Sequence, residues 1–114
     1  MVIKEIIDDK MHYIDLLFLA DEQEDMIRRY LEKGIMYVLD DNGVKAECVV
    51  TNEGNRILEI KNIAVKPEYQ GCGYGKALID FLIRRYTGKY SVMQVGTGAV
   101  SYTHLRAHET CADL

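Results

Sequence analysis

With 114 residues, 48% of them hydrophobic, 28% charged and a single proline, the chain has the composition of one globular domain with a real but small core. Eighteen acidic against fourteen basic residues leave a formal charge of −4, which excludes a general nucleic-acid binder and its basic footprint, though not a local cationic pocket. No stretch approaches the ~18 consecutive apolar residues of a membrane span, and MVIKEIIDDK lacks the apolar core of a signal peptide, so neither membrane nor export is expected.

In chain order, VIKEI (2–6) alternates apolar and charged residues as a half-buried strand does. Asp8 or Asp9 then caps a helix carrying Ile14, Leu17 and Phe18. The acidic run DEQED (21–25) separates it from a second helix with Met26, Ile27, Tyr30 and Leu31 at helical spacing, which is expected to end on Gly34 in the left-handed conformation. IMYVLD and VKAECVVT flank DNG (41–43), a strong hairpin signal, and EGN (53–55) turns the chain again into a long strand, RILEIKNIAV (56–65). Leu78, Ile79, Phe81, Leu82, Ile83 and Tyr86 form the apolar face of a further helix that Gly88 stops, and YSVMQV (90–95) is a last strand. The order β-α-α-β-β-β-α-β makes an α/β (α+β) chain around a mainly antiparallel sheet, with the last strand parallel to the long one across a helical crossover.

Between the long strand and its helix stands PEYQGCGYGKAL, with Gly71, Gly73 and Gly75 at alternate positions. A helix N-terminus exposes unpaired N–H groups and the positive end of the helix dipole, and glycine lets an anion approach that backbone closely. Two familiar phosphate motifs fail. A P-loop requires glycine at position 70 and Ser or Thr after the lysine, where Gln70 and Ala77 stand; a dinucleotide fingerprint requires glycine at 76, where Lys76 stands. What remains is Gln70-x-x-Gly73-x-Gly75 after the strand IAV and Pro67. It resembles the Q/R-x-x-G-x-G/A motif that binds acetyl-CoA in the GNAT superfamily of N-acetyltransferases, and the order of elements over residues 1–98 is similar to that family's.

The resemblance implies several roles. Gln70, Gly71, Cys72, Gly73, Tyr74, Gly75 and Lys76 would hold the coenzyme A pyrophosphate through backbone N–H groups. Ile63 and Val65 would offer backbone to the pantetheine arm as to an added strand, with one N–H polarising the thioester carbonyl. The cosubstrate implied is acetyl-CoA, no metal takes part, and the reaction implied is direct acetyl transfer to a primary amine. Glu59 precedes Gln70 by 11 residues (70 − 59), where some members carry a catalytic carboxylate, and is the candidate general base. Simple alternation puts Glu59 on one face with Lys61, Ile63 and Val65; the competing role for Glu59 is a solvent-facing partner of Lys61 or a cross-strand lysine. Cys72, beside a helix N-terminus, invites a nucleophile role, but direct transfer in the family argues against it. Cys48 is expected as a buried apolar residue, and Tyr13, Tyr30 and Tyr37 as core residues rather than walls of an acceptor pocket. Three cysteines without a CxxC pair fit reduced thiols in a cytoplasmic protein.

The family pattern continues with a fourth helix and two more strands that usually carry the general-acid tyrosine. Residues 99–114 show no strand pattern, and AVSYTHLRAHET looks like translated adapter or vector DNA, so residues 1–98 are taken as a partial, C-terminally truncated domain and 99–114 as a tail outside it. Tyr102 is not assigned as general acid. His104, His108 and Cys111 share one helical face but supply only three ligands, and no metal site is assigned. The loss of two strands implies impaired catalysis and association through an open sheet edge, as a homodimer or with a partner. The alternative function is a non-catalytic acyl-CoA-binding fragment or a partner-dependent α/β interaction module.

Overall fold

The computed structural model describes residues 1–95 and, as backbone, residues 100–103. Strands β1 (Val2–Ile6), β2 (Ile35–Asp40), β3 (Val44–Gly54), β4 (Ile57–Val65), β5 (Val92–Val95) and β6 (Val100–Thr103) form one sheet in sequence order. All neighbours are antiparallel except β4 and β5, which run parallel because α3 (Tyr74–Tyr86) carries the chain back between them. Strand β6 is one strand more than expected, since residues 99–114 had been assigned none; the backbone of Tyr102 pairs there with Met93. His104, His108 and Cys111 lie outside the described residues.

Each face of the sheet carries its own core. Helix α3 lays Leu78, Ile79, Leu82, Ile83 and Tyr86 on Leu39, Cys48, Val50, Leu58, Ile60 and Met93. On the other face, the short α1 (Ile14–Leu17) and α2 (Glu24–Lys33) cover Met36, Val38 and Val49 with Leu17, Ile27, Tyr30 and Leu31. A central strand covered on both sides is buried at consecutive positions, and β3 is buried from Ala46 to Thr51. Tyr37 packs edge-on to Phe81 and shares a 2.7 Å hydroxyl contact with Tyr86, so it is a core residue, and Tyr13 packs on the α2 side.

Two expected caps differ. Asp9 makes no side-chain cap and opens a 3-10 turn at Lys10–Tyr13. Gly34 is extended (φ −93, ψ 175) rather than left-handed, and a Cβ there would stand 2.7 Å from the Tyr30 carbonyl and 2.8 Å from that of Val50. Glycine is needed for this close approach of helix end to sheet. Lys10 completes the junction by donating from Nζ to the Leu31 and Gly34 carbonyls at 2.8 and 2.9 Å.

Candidate functional site

Residues 66–73 are pinned to the sheet before α3 begins. The Lys66 N–H donates to the Lys45 carbonyl, and Lys45 Nζ lies 4.4 Å over the Tyr69 ring. Gln70 Nε2 reaches back to the Val65 carbonyl at 3.4 Å. Tyr74 donates its hydroxyl to Asp41 Oδ2 in the β2–β3 turn at 2.6 Å, and this bond to an anion is the main cause that pushes the phenol up to about 12.

What is pinned is an open helix mouth. Gly71 and Gly73 hold φ of +83 and +87, where side-chain-bearing residues are strained. Gly73 caps α3 without any side-chain hydrogen bond, and no acidic residue stands in the first turn. The first intrahelical donor is Ala77, which reaches the Gly73 carbonyl. Among the described residues, the N–H groups of Gly71, Gly73, Tyr74, Gly75 and Lys76 have no acceptor. The Lys76 ammonium is paired with Asp80 one turn on at 3.0 Å, so what Lys76 offers the loop is its backbone. Cys72 is an exposed free thiol between two of these donors, and Cys48 is buried in the core, where burial pushes its thiol well up.

The mouth opens onto a gap beside β4. Among the described residues β5 pairs with β4 from Ile57 to Ile60, Ile60 standing opposite Val95. Beyond Ile60, β4 pairs with β3 alone among the described residues. A cleft of about 510 Å³ lies beside this part of β4, lined by Ile63, Val65, Gln70, Gly75, Ile79 and Val95. Four residues singled out from the sequence, Ile63, Val65, Gln70 and Gly75, therefore share one cavity wall, and Gly71 to Tyr74 connect the last two along the chain. The site suits a ligand with an extended arm and an anionic end: five free N–H groups and a helix dipole face the anion, and a strand edge faces the arm.

A bulge in β4 overturns the simple alternation. Val49 stands opposite Asn62 and Val50 opposite Ile60, so Lys61 is an extra residue in β4. Glu59 and Lys61 do share a face, the one toward α2, with Lys61 Nζ 2.6 Å from Glu59 Oε2. Ile63 and Val65 turn to the opposite face and pack with the α3 core. Glu59 is only 8% exposed, and its second oxygen accepts from Gln94 Nε2 at 2.6 Å. The Glu59 contact is the first cause that raises the Lys61 ammonium above its ordinary value. The carboxylate is thus a partner of Lys61, as one sequence-based expectation had it, but buried within the parallel β4–β5 ladder rather than facing solvent.

Other buried polar residues went unmarked in the sequence. Asn62, 3% exposed, donates from Nδ2 to the Leu17 carbonyl (2.9 Å) and to the Tyr30 hydroxyl (3.0 Å), and Tyr30 donates to Asp21 (3.0 Å). Burial is the main cause that pushes the Tyr30 phenol up to about 12. This network ties α1 and α2 to the bulge. Glu47, fully buried, has no hydrogen-bond partner for either oxygen among the described residues, and burial pushes its carboxyl up to about 8. An asparagine inside the apolar run EIKNIAV was the one local signal available.

A mixed sheet with one parallel pair of strands, a glycine loop after the first of them and an uncapped helix mouth beside an elongated cleft is an α+β domain of the acetyltransferase type. The chain belongs to the acetyltransferase (GNAT) domain family, whose model matches residues 32–110. It is 32% identical over 99 residues to an uncharacterized N-acetyltransferase, YvbK, of Bacillus subtilis (strain 168), covering 85% of this chain and 64% of that protein. Among solved structures it is similar to an IAA acetyltransferase from Bacillus cereus ATCC 14579 (TM-score 0.78, 35% identity, 86% of this chain and 66% of that one). It is similar also to a GNAT family acetyltransferase from Elizabethkingia anophelis with acetyl-CoA bound (TM-score 0.78, 31% identity, 86% and 65%). The chain thus spans about two thirds of the length of these relatives.

Proposed function

We propose that this chain carries the acetyl-CoA side of an N-acetyltransferase that passes an acetyl group directly to a primary amine. The observation that carries the proposal is the uncapped mouth of α3, with Gly71 and Gly73 left-handed and the cleft beside β4 running up to it. The free N–H groups of residues 71–76 hold the pyrophosphate, and the edge of β4 at Ile63 and Val65 lines the arm. Acetyl-CoA supplies the acyl carbon, whose bond to sulfur breaks as the bond to the amine nitrogen forms, releasing coenzyme A.

An ammonium has no lone pair with which to attack, so a base must first take its proton. Glu59 fills this role: it is a largely buried carboxylate in the parallel β4–β5 ladder, and Gln94 fixes its orientation. Lys61 occupies one of its oxygens as an incoming ammonium would, and must give way when the acceptor enters. The reduced cysteines fit a cytoplasmic setting, and pairing with a second copy through an edge of the sheet belongs to the same proposal.

That both Glu59 oxygens are engaged favours a second reading, an acyl-CoA binder without turnover. Calorimetric titration with acetyl-CoA beside a coenzyme A release assay over a panel of amines separates the two. Binding with amine-dependent release is expected; binding without release selects the second reading, and no measurable binding overturns both.

A further inference from the structure

We propose that the pocket between α2 and the β3–β4 hairpin takes the carboxylate of a small carboxylate-bearing amine, and that this amine is the acceptor. The inference rests on the acetyl-transfer reading for the word acceptor, but not for the site itself. The pocket has a volume of about 380 Å³ and is walled by Arg29, Lys33, Tyr30, Thr51, Glu53 and Lys61. It lies on the α2 face, across the sheet from α3.

Charge decides the ligand class. Of the three cations, Lys61 is already neutralised by Glu59 at 2.6 Å and Glu53 at 3.8 Å. Glu53, the one acid in the wall, is further engaged by the Thr51 hydroxyl at 2.5 Å. Arg29 and Lys33 have no carboxylate partner among the described residues, and the guanidinium of Arg29 meets only the Met26 sulfur at 3.8 Å. They stand one helical turn apart, a like-charge spacing that destabilises a helix slightly unless an anion sits between them. A carboxylate placed there gains two charge-assisted hydrogen bonds, one of them from a planar guanidinium that matches its geometry.

The other end of the pocket supplies the link to chemistry. Lys61 lines the wall, and its ammonium rests on Glu59. A ligand whose carboxylate is held by Arg29 and Lys33 points its opposite end toward Lys61, where its own ammonium exchanges for that of Lys61 on Glu59. Lys61 then retains Glu53 as partner. The pocket therefore selects amines whose anionic group lies several atoms from the nitrogen.

The test uses the 114-residue chain and backbone amide NMR, with 4-aminobutyrate and its neutral-headed amide, 4-aminobutanamide, as probes. Saturable shifts at Arg29, Lys33 and Thr51 are expected with the carboxylate, with affinity about tenfold or more weaker for the amide. Arg29→Ala and Lys33→Ala, both on the exposed side of α2, should each abolish that preference while leaving the remaining spectrum in place. Equal response to the two probes, shifts that survive both substitutions, or no saturable shift up to about 0.1 M overturns the proposal. A parallel titration with acetyl-CoA followed at Ile63, Val65 and residues 71–76 reports on the acetyl-transfer reading alone, so the two can fail separately.

Discussion

Glu59 and Lys61 point the same way from β4 and touch at 2.6 Å, yet Ile63, two residues on, points through the opposite face of the sheet. The extra residue at the bulge breaks the two-residue period and sets an ion pair facing α2 directly beside a strand edge that borders the α3 cleft. A regular strand would have put Ile63 and Val65 on the ion pair's face and emptied the α3 core of both.

Glu59→Gln keeps the size and hydrogen-bonding reach of the side chain but cannot take a proton from an ammonium. Coenzyme A release at neutral pH should fall by about 10²-fold or more, with acetyl-CoA affinity and the melting temperature little changed. Unchanged turnover would remove Glu59 as the base.

The loop glycines separate into two kinds. Gly73→Ala forces a side chain to φ +87 and should cost about 1–2 kcal/mol of stability along with coenzyme A affinity. At Gly75 an added Cβ would meet only the Val65 side chain at 3.6 Å, an ordinary contact, so Gly75→Ala should leave stability equal or raise it by up to ~1 kcal/mol. Thermal unfolding of the two variants side by side checks the contrast.

Much of this was legible in the sequence, for local reasons. The DNG turn, the apolar period of α3 and the alternating glycines each act within a few residues, and each landed where the pattern put it. The bulge at Lys61 was not legible: EIKNIAV reads as a regular strand, and the extra residue appears only against the register of β3. Glu47 was hidden for a related reason, since a charged residue in a strand passes for a solvent-facing one until helices are seen on both sides of the sheet. Gly34 was identified as a helix stop but for the wrong cause, because the neighbouring carbonyl of Val50 comes from a distant part of the chain.

Glu47 makes stability depend on pH in a defined direction. Its carboxyl is raised from 4.5 to about 8 in the fold, so between those values the native state binds a proton that the unfolded chain does not. The contribution is complete below pH 4.5 and is lost as pH rises through 8, at about 1.4 kcal/mol per pKa unit. Urea unfolding at pH 5, 6.5 and 8 should show that decline in the unsubstituted chain, and Glu47→Gln should abolish the part due to this residue. An identical pH profile in the variant would show that Glu47 is not the titrating group.

Asn62→Ala removes two buried hydrogen bonds, to the Leu17 carbonyl and the Tyr30 hydroxyl, and leaves the Leu17 carbonyl only the Ala20 and Asp21 N–H groups of its own turn. The expected loss is about 2–3 kcal/mol, read as a lower urea midpoint. Hydrogen exchange should speed up first in α1, which the asparagine holds to the sheet.

Removing Lys61 altogether has a consequence that removing its charge does not. With that residue gone, Ile60, Asn62 and Ile63 fall into strict alternation, and every apolar side chain of β4 keeps the side it now occupies. Neither hydrophobic layer counts Lys61 among its members; what disappears is the kink and the cation beside Glu59. The supernumerary residue therefore adds a kink and a cation to β4 and no side chain to either apolar layer.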